Sequence, residues 1–137
     1  MQMPDWVPAP DQVAAVLRAR TRGRGSIAAT AAAEQGRFTT ETRPTAAQVQ
    51  ELIELATTEL CGRFAGRSPC TDVLKGAAQV AAVYRAAQLV ELSYFPERVG
   101  AAGSAYAVLG ELWTEAAAAV TAGVEAGCPL DAPGGTP

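Results

Sequence analysis

The side chains that most often carry out catalysis are either missing from this sequence or scattered along it. There is no histidine, so the commonest general base and the commonest metal ligand are both absent. A serine or cysteine nucleophile therefore lacks the partner that would activate it. The only lysine, Lys75, follows Val73-Leu74 rather than a glycine-rich phosphate-binding loop. We expect a chain that is not an enzyme and that uses no cofactor or metal ion.

The cysteines show no pattern typical of a redox centre. Cys61, Cys70 and Cys128 have neither a CxxC spacing nor the even number of a secreted disulfide framework. From Met1 to Pro10 the chain carries an acid and three prolines instead of a basic and then apolar signal segment. The most apolar stretch, residues 76–92, is too short and too polar to cross a bilayer. These features predict reduced cysteines, no membrane partner, and assembly in a cytoplasm.

An arginine cluster is the only concentrated charge in the sequence. Arg18, Arg20, Arg22 and Arg24 occupy alternate positions. They could contact DNA phosphates or an acidic ring of a partner protein, or they could form the solvated basic end of a helix, where arginine complements the helix dipole. The formal net charge of −3 disfavours general DNA binding, which depends on neutralising phosphates.

Two further features are candidates for protein contact. Glu111 and Glu115 lie four residues apart on a predicted helix, where like charges repel by about 0.2–0.5 kcal/mol. We hypothesise that they pair with arginines of a neighbouring subunit, although an ordinary solvated surface tolerates such a pair. Trp6, in the segment Asp5-Trp6-Val7-Pro8, could anchor a neighbouring protein or fold back onto its own core.

Apolar periodicity predicts four helices. The first opens at Pro10 and ends within the arginine-rich segment 18–25, and the others lie at about residues 45–64, 71–94 and 104–126. The first has Val13, Val16 and Leu17 at helical spacing. The third is apolar around nearly its whole circumference, which is typical of a helix at the centre of a domain or between subunits. With 49% apolar residues and only 6% aromatics, the core must consist largely of small aliphatic side chains. We therefore predict an all-α fold, a small antiparallel helical bundle forming one domain over residues 1–127.

Outside the helices, the sequence predicts an N-terminal arm (1–10), a flexible C-terminal tail (128–137) and a long loop (22–44) between the first two helices. The tail is half proline and glycine, which is too few apolar side chains to fold alone. A structureless connection as long as the loop is unusual in a compact domain. Residues 28–34 could form a turn or two of helix, whereas β-branched residues on either side favour a short β-hairpin folded around residues 31–36.

Residues 43–48, where the loop enters the second helix, form a motif with a clear structural role. Pro44 favours an extended Arg43, and Thr45 is a good N-cap. Gln48 stands three residues later, where a capping box needs a side chain that reaches back. The motif therefore specifies how an extended segment enters a helix.

This motif, together with Trp6-Val7-Pro8 and Ser93-Tyr94-Phe95-Pro96-Glu97, resembles the head-to-tail adaptor (connector, or head-completion) proteins of long-tailed bacteriophages that infect high-GC actinobacteria. The similarity spans residues 6–127. It is most specific at Phe38-Thr39, at Thr42-Arg43-Pro44-Thr45 with Val49, and at Tyr94-Phe95-Pro96-Glu97.

The resemblance implies a homo-oligomeric ring, usually twelve-fold, in the neck of the virion. Such a ring binds the portal protein on one side and the stopper or another tail protein on the other, and it extends the channel through which DNA passes without sequence specificity. The candidate interface residues are Trp6, Arg18, Arg20, Arg22, Arg24, Phe38, Arg43, Glu111 and Glu115. Two alternatives remain: a small helical DNA-binding regulator whose arginines contact the DNA backbone, and an enzyme subunit that lends helices to a partner's active site.

Overall fold

The computed structural model describes residues 3–17, 38, 40, 44–96, 99–100 and 103–131. It contains four helices: α1 (Pro10–Val16), α2 (Ala46–Gly62), α3 (Asp72–Tyr94) and α4 (Ala105–Gly127). There is no β-strand in the part of the chain that the structure describes, so the predicted all-α bundle is confirmed. Residues 28–36, for which a hairpin or a helical turn was predicted, lie outside the described residues.

The three longer helices begin at hydroxyl side chains that cap their first turns. The Thr45 Oγ1 accepts a hydrogen bond from the Gln48 backbone N–H (3.2 Å), and the Gln48 Oε1 accepts one from the Thr45 N–H (2.9 Å). The predicted capping box is thus confirmed. The hydroxyls of Thr71 and Ser104 each accept a backbone N–H three residues later, at 3.1 Å. Each cap satisfies an N–H that the first turn of a helix leaves without a partner.

Helix α3 is the central element, because it packs against each of the other three helices. Ten of its residues are buried, mostly small aliphatic ones: Ala78, Ala81, Ala82, Val83, Ala86, Ala87, Gln88, Leu89, Val90 and Glu91. Its first half also presents apolar side chains outward, since Val73 is 81% exposed and Val80 is 48% exposed. The nearly all-apolar sequence of this helix therefore reflects a central position together with an uncovered apolar edge.

Helices α3 and α4 run antiparallel and approach closely at two glycines. A Cβ at Gly110 would meet the side chain of Gln88, and a Cβ at Gly123 would meet that of Leu74. Helix α1 is only seven residues long, so it presents one narrow stripe to the core. Val13 of α1 and Leu17, the residue that follows the helix, are buried there, whereas Val16 is 39% exposed.

Candidate functional site

An open groove of about 690 Å³ lies between α3 and α4; we call it the α3–α4 groove. Helix α4 supplies most of its lining and α3 supplies two polar side chains. The lining residues are Arg85, Gln88, Ala107, Gly110, Glu111, Trp113, Thr114, Glu115 and Ala118.

The floor of the groove is a hydrogen-bonded network that joins three helices. The Arg85 Nε donates to the Glu59 Oε1 of α2 at 2.8 Å, and its Nη1 donates to the Gln88 Oε1 at 2.8 Å. The Gln88 Nε2 in turn lies 3.4 Å from the Tyr106 carbonyl oxygen of α4. Because Glu59 pairs directly with Arg85, the positive charge on the floor is balanced within the chain.

Trp113 fixes the position of the same network from the α4 side. Its side chain is only 5% exposed. The guanidinium carbons of Arg63 and Arg85 lie 5.0 and 5.9 Å from the centre of its ring, within the range of a cation–π interaction. The indole thus lies against two arginines, one at the end of α2 and one on α3.

Glu111 and Glu115 lie on the outward side of α4, at the edge of the groove. Both are exposed. Neither has an ion-pair partner among the residues that the structure describes. The two carboxylates predicted as an interface pair are therefore presented side by side and open to a cationic partner.

The remaining predicted interface residues fall into two groups. Phe38 is 4% exposed and packs with α1, α2 and α3 in one core cluster, whereas Trp6 is 5% exposed and packs with α2, α3 and α4 in the other. The Trp6 carbonyl also accepts a hydrogen bond from the Gln79 Nε2 at 3.0 Å, so the N-terminal arm folds onto its own bundle. The predicted arginines, Arg18, Arg20, Arg22, Arg24 and Arg43, lie outside the described residues.

The prediction of reduced cysteines is wrong for two of the three, because Cys70 and Cys128 form a disulfide with a Cα–Cα distance of 5.7 Å. Helices α3 and α4 each contain 23 residues and run antiparallel. A residue just before α3 therefore meets a residue just after α4. The sequence contained this signal, in the nearly equal predicted lengths of the two helices and in the cysteines at their outer ends.

The same contact fixes the first residues of the segment that the sequence assigned to a flexible tail. The Arg67 Nη1 donates to the Cys128 carbonyl at 2.6 Å, the Ser68 hydroxyl to the Asp131 Oδ2 at 3.0 Å, and the Asp131 N–H to the Gly66 carbonyl at 2.7 Å. Gly66 has a φ of 82°, a left-handed conformation that glycine adopts without a steric penalty. Residues 128–131 are thus attached to the loop between α2 and α3.

Cys61 is the free cysteine among the described residues. It lines a cleft of about 470 Å³ beside the N-terminal arm, together with Trp6 and Asp131. Burial raises the pKa of its thiol above the ordinary value of 9.0, and the negative charge of Asp131 raises it further. A thiol with a raised pKa is a weak nucleophile at neutral pH.

The described part of the chain offers no cluster of three or more side chains suited to hold a metal ion. None of the helices in that part is long and apolar enough to cross a membrane. The groove thus combines a floor on which Arg85 pairs with Glu59 and an edge with two exposed carboxylates that have no ion-pair partner among the described residues. The groove network itself was not predicted, because its members come from three helices and share no local motif.

We compared the chain with known protein families, with curated proteins and with solved structures, and none of the three comparisons gave a match.

Proposed function

We propose that this chain is a virion structural protein, a head-to-tail adaptor that forms a ring between the portal and the stopper or tail. The ring extends the DNA channel and resides in the neck of the virion after assembly in the host cytoplasm. Its partners are further copies of itself, the portal protein and a tail-side neck protein.

One observation carries this proposal: the separate segments of the adaptor-like sequence motif meet in a single cluster. Phe38, Val49 and Phe95 are all buried in the core cluster that joins α1, α2 and α3, and Tyr94 packs against it. Pro44, which directly precedes the Thr45 cap, is also buried. Residues of the motif that are more than 50 positions apart in the sequence thus serve one structural unit, and this supports the proposal.

The charge of the chain is compatible with this function. With a formal net charge of −3, the protein lacks the strong positive field that would hold DNA by its phosphates. A channel protein of this kind lets DNA slide without sticking. The exposed carboxylates of Glu111 and Glu115 leave α4 suited to contact with a cationic protein surface.

The direct test is reconstitution with the portal protein of the same virus. The purified chain is mixed with portal rings and imaged by negative stain, and portal rings alone serve as the control. We expect a second annular layer on one end of the portal, with the two components in a fixed ratio by native mass spectrometry.

The same preparation distinguishes the alternative function. A DNA-binding regulator would form no layer on the portal and would bind a fluorescent DNA duplex with an affinity that falls steeply as salt is raised. A protomer that ignores the portal under all conditions overturns the adaptor proposal.

A further inference from the structure

The two halves of the Cys70–Cys128 bridge differ in their access to solvent. Cys70, in the connection between α2 and α3, is an exposed residue. Cys128, directly after α4, is only 4% exposed and belongs to a core cluster. A thiolate that opens a disulfide must reach one of its sulfurs, and access is one of the factors that select which sulfur is attacked. An incoming thiolate therefore reaches the bridge at Cys70.

The polar groups around the bridge also differ between its two sulfurs. The Cys70 backbone N–H donates a hydrogen bond to the Cys128 Sγ at 3.1 Å. The Cys70 Sγ instead lies 3.5 Å from the carbonyl oxygen of Gly127. A hydrogen-bond donor stabilises a thiolate, whereas the partial negative charge of a carbonyl oxygen disfavours one. Cys128 is therefore the better leaving group of the two.

A positive charge lies close to the same leaving group. The Arg67 Nη1 donates to the Cys128 carbonyl oxygen at 2.6 Å, and a neighbouring guanidinium favours the thiolate form of a cysteine. The carboxylate of Asp131, the acidic residue of the segment 128–131, accepts a hydrogen bond from the Ser68 hydroxyl at 3.0 Å. Access, hydrogen bonding and charge thus all assign attack to Cys70 and departure to Cys128.

We propose that Cys70 is a modification site, where a low-molecular-weight thiol opens the bridge and stays attached as a mixed disulfide. The incoming thiolate forms a bond to the Cys70 Sγ, the bond between the two cysteines breaks, and its electron pair remains on the Cys128 Sγ. Cys128 then takes up from water the proton that the incoming thiol released. One disulfide replaces another, so the step needs no oxidant.

The contacts around the bridge also make this modification reversible. The hydrogen bonds from Ser68 to Asp131 and from the Asp131 N–H to the Gly66 carbonyl do not depend on the sulfur bond. They keep Cys128 close to Cys70 after the bridge opens, which gives the Cys128 thiolate a high effective concentration. Its attack on the Cys70 Sγ expels the attached thiol and restores the bridge once the free thiol is removed.

The test uses the full-length oxidised chain, with reduced glutathione as the probe. Samples from the early part of the reaction are quenched in acid, which protonates thiolates and stops exchange, and are digested with pepsin at the same pH. Mass spectrometry of the peptides shows which cysteine carries glutathione. The same reaction in concentrated urea is the control, because unfolding gives the two sulfurs equal access. A Cys61→Ser variant shows whether the free thiol takes part.

In the folded chain we expect glutathione on Cys70 in at least about tenfold excess over Cys128, and similar amounts on the two cysteines in urea. The Cys61→Ser variant gives the same preference as the unaltered chain, because burial and the charge of Asp131 raise the pKa of the Cys61 thiol and make it a poor nucleophile. After rapid desalting at neutral pH, the adduct disappears and the bridge forms again without added oxidant.

Several results would overturn this inference, and none of them bears on the adaptor proposal. They are glutathione mainly on Cys128, equal amounts on Cys70 and Cys128 in the folded chain, and an adduct that forms only in urea. An adduct that requires Cys61 would assign the exchange to that thiol instead. An adduct that persists on Cys70 after desalting would overturn the role of Cys128 in closing the bridge again.

Discussion

The disulfide between Cys70 and Cys128 has a large and measurable effect on stability. It closes a loop with a sequence separation of 58 residues. For a loop of that length, the chain-entropy relation gives a loss of about 14 cal/mol/K in the unfolded state, or about 4 kcal/mol at 25 °C. In a domain of this size that corresponds to a fall of about 12 °C in melting temperature when the bond is removed.

The assay is urea unfolding followed by circular dichroism, on the unaltered chain with and without a reducing agent and on a Cys70→Ser, Cys128→Ser variant. Cys61→Ser is the matched control, since that thiol is free, and we expect the control to remain sensitive to reduction. In denaturant without reductant, a thiol titration detects one free cysteine per chain. Three titratable thiols, or a double variant as stable as the oxidised chain, would refute the reasoning.

Three further predictions concern single positions. Trp6→Ala destabilises the isolated protein by about 3–5 kcal/mol, because the indole is a core side chain; urea unfolding measures this. Gly76 is a helical residue with open space around it, so Gly76→Ala stabilises the protein by about 0.5–1 kcal/mol. Gly110→Ala displaces the hydrogen-bonded side chain of Gln88, so its free energy of unfolding is lower than that of Gly76→Ala by at least about 1 kcal/mol. The pKa of Cys61 is raised by burial and then by Asp131, so its alkylation by iodoacetamide keeps accelerating above pH 9.0, and Asp131→Asn lowers the pKa and speeds the reaction at pH 8.

Each of these three predictions has an outcome that would contradict it. A Trp6→Ala variant of unchanged stability would show that the indole is not part of the core. Equal stabilities of the two glycine variants would show that α3 and α4 are not in close contact at Gly110. An alkylation rate at Cys61 that Asp131→Asn leaves unaltered would show that this carboxylate does not act on the thiol.

The helices were predictable because the residues that determine their boundaries are close together in the sequence. Thr45, Thr71 and Ser104 stand directly before apolar periodic runs, and a hydroxyl at an N-cap acts on the three residues that follow it. Helical periodicity likewise identified the central helix. It did not show which apolar side chains remain uncovered, since Val16 and Val80 follow the same pattern as buried neighbours and differ only in what packs against them.

The groove and the disulfide depend on contacts between residues that are far apart in the sequence, and local sequence patterns do not predict such contacts. Glu59 and Arg85 are 26 residues apart and meet because α2 and α3 pack together. An odd number of cysteines argued against pairing, yet the antiparallel course of α3 and α4 brings two of the three within bonding distance. Glu111 and Glu115, by contrast, lie one turn apart on a single helix and are both exposed, and their pairing with a neighbouring subunit stays a prediction.

The covalent link between the start of α3 and the end of α4 also determines how the molecule transmits mechanical load. A pull on the C-terminal end of the chain reaches Cys128 first and passes across the sulfur bridge to Cys70, and from there into the connection that follows α2. The tension bypasses the 23-residue helices α3 and α4, so their interface cannot be peeled apart from that end while the bridge is intact. A tether attached at the C-terminus would therefore hold this helical pair as a closed loop under force.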